Sequence, residues 1–456
     1  MTTRDHGSGK RPTSDVSAAV GLSGIAGLSL WIAVCHFWQE IGAAFDLPGP
    51  RARLIGPYAA LLGLIFAALP MIVWSLAVDK VHRRPSTGID WSLRRPVSDV
   101  IDITVTKLAG LWATWAIIAA LYCVCRWYWA EPYLIAMDVL GTLAVPLFLI
   151  SVPYVLWLDR KLVEPRDACW HFGALLIGRE GYDRQQVWIH LRAWAVKGFF
   201  TAFMISIVPG GFANLVAPDW ATMLITPVGL ASLLITVMFV LDEQIGTVGY
   251  VLTMKPLDAH IRSANPYLAG WLAALLCYPP FQIMGQGRPV YYTAGTDGDN
   301  NWIRLLGSHD TLMWVWAALL VFLTAIYAWA TFAFGIRFSN LTYRGVLTNG
   351  PYAWSRHPAY LSKNLFWWCT TLPFFVSNGS FTDAVRNTFF LGVVSAIYYG
   401  RARTEEKHLL AEDPKYAEYW RWMQRHGLIT APLARLGAVL KNRRPSGQSV
   451  SSPPSS

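Results

Sequence analysis

From Gly21 to Gly400 the chain repeats one pattern: a long apolar run, a short polar stretch, then another apolar run. Many runs reach the roughly 20 residues that an α-helix needs to cross the hydrocarbon core of a bilayer. A chain built this way hides its apolar surface in lipid, so counting domains by length does not apply. Of the 456 residues, 54% are hydrophobic and only 14% are charged, against about a quarter charged in a soluble protein. The expected fold class is all-α: a polytopic integral membrane helix bundle of about ten transmembrane helices.

The expected spans are Val20 to Ala44, Leu54 to Val78, Leu108 to Trp129, Tyr133 to Leu158, Val196 to Ala217 (broken at Pro209-Gly210-Gly211), Ala221 to Leu241, Tyr267 to Gly285, Thr311 to Ile336, Ala359 to Val376 and Ala384 to Gly400. Arg and Lys concentrate in the loops after the second, fourth, sixth and eighth spans, with Arg51 and Arg53 as exceptions. By the positive-inside rule both termini are cytosolic, in what reads as a bacterial cytoplasmic membrane. The net charge of +10 sits in these loops and signals no nucleic-acid partner. The stretch Asp242 to Asn265 is too polar to span. Trp170 to Gly178 reads as an amphipathic helix lying on the membrane. The six Cys have no CxxC spacing and read as buried thiols, with no metal site implied. Residues 1–19 and 431–456 are expected to be disordered. Between them lie an N-terminal transmembrane region, 20–310, and a C-terminal region, 311–430. The polar N-terminus is too long to resemble a cleaved signal peptide.

Two polar clusters are not explained by a bilayer. One is LTNGPYAWSRHPAY, Leu347 to Tyr360; the other is RARTEEKHL, Arg401 to Leu409. Pro358 suits the first position of a helix, and the residue before it is pushed toward extended geometry. A helix starting there exposes unpaired N–H groups that attract carboxylates and phosphates. Arg356, His357, Tyr352 and Tyr360 cluster around that start. Arg401 and Glu405, four apart, share a helical face. Taken alone they read as a snorkelling Arg in a surface ion pair, with Arg403 and Glu406 as solvated neighbours.

Together the clusters resemble the isoprenylcysteine carboxyl methyltransferase family, and the wider set of membrane methyltransferases that includes phospholipid methyltransferases. The matching residues are Gly350-Pro351-Tyr352, Arg356-His357-Pro358-Ala359-Tyr360, Arg401, Glu405-Glu406, Leu409, Tyr416 and Tyr419. The chain departs from that pattern at Ser362, where the family has Gly, and at Asp413-Pro414. The resemblance covers about Ile336 to His426. It implies S-adenosylmethionine as cofactor, bound on the cytosolic side by Tyr352, Arg356, His357, Pro358, Ala359, Tyr360 and Glu405. It implies that Arg401 faces the methyl acceptor, a lipid-like or prenylated molecule, with a carboxylate as one option for the acceptor atom. Membrane sterol reductases, which bind NADPH, share an R-H-P-x-Y run, but carry Arg-Asp where this chain has Glu405-Glu406. A non-catalytic scaffold or transporter is the third reading, from His36/Glu40 and Asp242/Glu243, polar residues near span ends.

Overall fold

The computed structural model describes residues 10–49 and 51–432. The disorder expected of residues 1–9 and 433–456 lies outside the described residues. The chain is an all-α polytopic membrane protein. Seven of the described helices are long and apolar enough to cross a membrane. They are α1 (Ala18–His36), α2 (Pro57–Val78), α3 (Val97–Cys125), α4 (Leu134–Asp159), α6 (Arg184–Val216), α7 (Pro227–Val251) and α9, which begins at Asp310 and ends in a tighter turn at Arg337. Among the shorter or more polar helices are α5 (Ala168–Leu176), α8 (Leu268–Leu275), α10 (Pro358–Thr371), α11 (Phe381–Glu412) and α12 (Pro414–His426).

Seven described helices have that length and composition, against about ten expected spans, and the difference falls at three places. Over 267–285 the helix is short: α8 stops at Leu275, and Pro279 and Pro280 follow without backbone donors to continue it. The span expected at 359–376 is the 14-residue α10, closed by Leu372 at φ 41°. The last expected span lies within the 32-residue α11, which is long enough but too polar along its length.

Other boundaries differ for local reasons. The Asp183 side chain caps α6 by accepting from Gln185 N, so that helix starts at Arg184 and runs on unbroken through Pro209. Thr226 caps α7, Pro227 takes its first position, and the helix continues past Asp242 and Glu243 to Val251. Those two acids therefore stand inside a spanning helix rather than beyond it. Helix α1 ends at His36, whose ring stacks on Trp220 at 3.7 Å, and Glu40 lies on a separate short helix, Trp38–Ala44. Trp170 to Leu176 is helical as expected, and the helix docks on α3. A Cβ on Gly173 would stand 1.9 Å from the Thr106 carbonyl oxygen, and one on Gly110 would meet Gly173 at 2.8 Å. Only glycine lets these backbones approach so closely.

Helix α9 packs against α1, α7 and α10, and α8 packs against α11. A short antiparallel pairing, Ser263 with Tyr343 and Ala264 with Thr342, ties the segment before α8 to the segment after α9. One end of the bundle thus gathers the start of α1, the ends of α2, α7 and α9, the start of α10 and the polar half of α11. Ser17 bonds Asp79 at 2.7 Å there, and Arg337 bonds Asp258 at 2.5 Å. The N-terminal strap, expected to be disordered, is held at this end. The Asp15 carboxylate accepts from Val346 N at 2.7 Å and pairs with Lys415 at 2.5 Å, and the Thr348 hydroxyl donates to Pro12 O at 2.7 Å.

Candidate functional site

Pro358 does what its chemistry dictates. It opens α10, and His357 before it is held at φ −131°, ψ 58°, outside the helix. The preceding turn is set by Gly350 at φ 56°, where a Cβ would meet the Trp329 indole nitrogen at 2.9 Å. It presents Tyr352, whose carbonyl accepts from the Tyr419 hydroxyl of α12 at 2.7 Å. The helix start, the polar half of α11 and the loop after α9 enclose a cavity of about 170 Å³.

Seven of the eight residues expected at the site line this one cavity: Tyr352, Arg356, His357, Ala359, Tyr360, Arg401 and Glu405. Pro358 does not line it; it is buried as the first residue of the helix. Ser362, the departure from the family pattern, is buried too, and its hydroxyl donates back to Pro358 O at 2.8 Å. Its side chain is spent on its own helix and stays out of the cavity.

The two sequence clusters meet through the acid pair. Tyr360 donates its hydroxyl to Glu405, and His357 Nδ1 stands 4.0 Å from the other Glu405 oxygen. Glu406 departs from expectation. It is buried, not solvated, and holds Arg356 at 2.7 Å, His357 at 3.1 Å and Arg403 at 3.1 Å. Burial pushes its carboxyl up, but the His357 hydrogen bond and the Arg356 and Arg403 charges outweigh this, leaving its pKa below the ordinary value. Glu406 is the clamp joining α10 to α11, and Glu405 is left as the carboxylate facing the cavity. Arg356 also lies over the Trp420 ring at 5.3 Å, and its Nη1 is buried without a partner.

Arg401 is no surface snorkeller. It is 2% exposed and makes no ion pair among the described residues. Its guanidinium lies 4.9 Å from the ring centre of Tyr360, 5.2 Å from Tyr398 and 5.7 Å from Tyr278. It donates to Asn340 Oδ1 at 3.1 Å, while its Nε is buried without a partner. Asn340 is itself fixed, its N donating to the Tyr250 hydroxyl at 2.9 Å and its Nδ2 to Tyr278 at 3.2 Å. Tyr278, Tyr398 and Asn340 were missed in the sequence. Only Asn340 carried a signal, as part of the polar pair Ser339-Asn340 shortly after the apolar run that ends at Ile336.

The cavity reaches deeper than the two motifs, to Lys363, Tyr327 and Thr331. Asp242 of α7 accepts from the hydroxyls of Tyr327 (3.0 Å) and Thr331 there. This polar contact between spanning helices comes from residues that had been read as lying near a span end.

A family model described as a protein of unknown function (DUF1295) matches residues 284–423. That family is related to steroid 5-alpha reductase and isoprenylcysteine methyltransferase-like membrane proteins. The match spans the whole of the cavity's α9 to α12 side. No curated protein and no solved structure matches the chain.

Proposed function

We propose that this protein is an integral membrane S-adenosylmethionine-dependent methyltransferase acting on a lipid-like acceptor, with an acceptor carboxylate favoured. The observation that carries the reading is the charge layout of one cavity. Among the described residues, Glu405, a carboxylate without an ion pair closer than 4.0 Å, stands one helical turn from Arg401, a buried guanidinium with no ion pair. A cationic methyl donor and an anionic acceptor fit those two positions in that order.

The residues present suit the cofactor. Glu405 and the ring faces of Tyr352 and Tyr360 suit a positively charged sulfonium and amine. The partnerless Arg356 Nη1 and the N–H groups at the start of α10 suit a carboxylate. When bound, S-adenosylmethionine supplies an electrophilic methyl carbon whose bond to sulfur breaks as the acceptor oxygen attacks, the sulfur keeping the electron pair. A carboxylate acceptor has no proton to lose, so the chain needs no general base. Its work is to hold the acceptor through Arg401, align it with the donor and exclude water. Tyr278, Tyr360 and Tyr398 keep the guanidinium in one orientation.

The sterol-reductase reading is disfavoured by the acid pair, a poor neighbour for the 2′-phosphate of NADPH. Titration of the detergent-purified protein with S-adenosylhomocysteine and with NADPH tests the choice. S-adenosylhomocysteine should bind and raise the unfolding temperature, and labelled methyl groups should pass into a lipid extract. A shift with NADPH alone would sink the methyltransferase reading.

A further inference from the structure

We infer that the deep end of the cavity is an anion-binding subsite built from Lys363 together with Arg401, and that it takes the acidic headgroup of an amphiphile. The inference deepens the methyltransferase reading by naming the acceptor class, but the subsite itself stands on separate observations.

Lys363 lies on α10 five residues after its first residue, about 7.5 Å further along the axis. It shares a helical face with Tyr360 and Trp367, the face that meets Tyr398 of α11 at 5.5 Å and 5.3 Å respectively. Its Nζ rests over the rings of Tyr327 at 5.1 Å and Trp367 at 5.3 Å, and among the described residues it makes no hydrogen bond or ion pair. Two acids of the facing helix, Asp242 and Glu243, lie within electrostatic range of Lys363 without forming a salt bridge to it, and the Asp242 oxygens are occupied by the Tyr327 and Thr331 hydroxyls. Lys363 and Arg401 line one cavity, and among the described residues neither is in a salt bridge.

Two buried cations with no acid in salt-bridge contact are costly. A ligand that brings the negative charge removes that cost, and the orphaned Arg401 Nε has a donor ready for it. The same cavity is lined by Phe334, Phe338, Tyr327 and Tyr398. A small soluble anion would leave those faces unfilled. An acid on an apolar chain satisfies both, and its apolar part has the bilayer as its source.

The test uses the full chain in a neutral detergent, with dodecanoate, dodecyl phosphate and dodecylamine as matched probes and acetate and inorganic phosphate as short ones. The two long-chain acids should bind, and the amine and the short anions should bind at least about tenfold more weakly. Lys363→Gln should weaken the long-chain acids about tenfold, as expected for one lost charged contact. Lys363→Arg should retain them, and both variants should keep the parent affinity for S-adenosylhomocysteine. Lys363→Met gives the same reading as Lys363→Gln should the latter fail to fold. Equal binding of dodecylamine, or unchanged acid affinity without the Lys363 charge, overturns the subsite. So does a parallel loss of S-adenosylhomocysteine binding, which would make Lys363 part of the cofactor's own site. Failure of the parent protein to bind S-adenosylhomocysteine sinks the methyltransferase reading and leaves the anion subsite standing.

Discussion

Two regions of this molecule bury charge in opposite ways. In the frame, Lys107 of α3 is 4% exposed and meets Asp159 at 2.7 Å and Asp167 at 2.9 Å, while Thr104 completes Asp159. Asp258 is shared by Arg337, Arg262 and Arg84. Arg344 donates to the carbonyls of Gly249, Phe338, Leu252, Ile336 and Ala259, closing the ends of α7 and α9 together. In the cavity, Arg401 and Lys363 face aromatic rings and are paired with no acid. Paired charge is architecture: it fixes how helices meet. Buried charge without a partner is tolerated only where something else arrives to complete it.

The largest expected effect breaks the frame. Lys107→Met leaves Asp159 without a cation and Asp167 with only Lys255 at 3.5 Å, and should cost about 3–5 kcal/mol of stability. Thermal unfolding in detergent measures it. Adding Asp159→Asn to Lys107→Met should recover part of the loss, because one uncompensated acid is then removed. The same cluster sets an acid limit. Burial raises the Asp167 carboxyl, but the Lys107 and Lys255 charges outweigh it and hold the pKa at about 2. A depressed carboxyl stabilises the fold fully above its unfolded pKa and loses that contribution as pH falls through the folded one. Stability should therefore drop between about pH 4 and pH 2, and Asp167→Asn should flatten that drop.

The frame was largely legible in the sequence, and the site only half. Apolar runs identified the spanning helices because each depends on neighbouring residues alone. The start of α10 was legible for the same reason, since Pro358 acts on its own backbone. What was misread depends on distant partners. Glu406 looked solvated because its cations include Arg356 and His357, the latter 49 residues away in sequence. Asp242 looked like the end of a span because Tyr327 and Thr331, which hold it inside one, lie 85 and 89 residues further on. Lys363 drew no notice because the absence of a partner is invisible until the fold shows which groups come near.

The next effect sharpens the division within the cavity. Glu405→Gln keeps size and loses charge, so it should weaken S-adenosylhomocysteine binding by about 1.5–3 kcal/mol. Arg401→Lys keeps charge and loses the planar fork, so it should spare that affinity and lower turnover with the acceptor. Cofactor titration of both variants beside the parent decides it. Equal behaviour of the two would erase the separation of roles.

The smallest expected change in stability is the most direct test of the contrast between paired and unpaired charge. Asn340 already accepts from Arg401 at 3.1 Å. Asn340→Asp places a carboxylate at the same atom and turns the site's charge into the frame's kind. The guanidinium is already desolvated, so the new pair gains attraction while the new carboxylate meets its own burial cost, and the two nearly offset. The Nδ2 bond to Tyr278 can be replaced, because the tyrosine hydroxyl is able to donate to the new oxygen. Unfolding should move by no more than about 1 kcal/mol in either direction. Acceptor binding and turnover should nevertheless collapse, because Arg401 no longer has a free charge to offer. Asn340→Ala, which loses the contact without neutralising the arginine, should retain part of the turnover with a raised KM. An Asn340→Asp protein as active as its parent would mean that Arg401 is a structural cation, placed like Arg344 to hold helices together, and that the cavity's acceptor is held elsewhere.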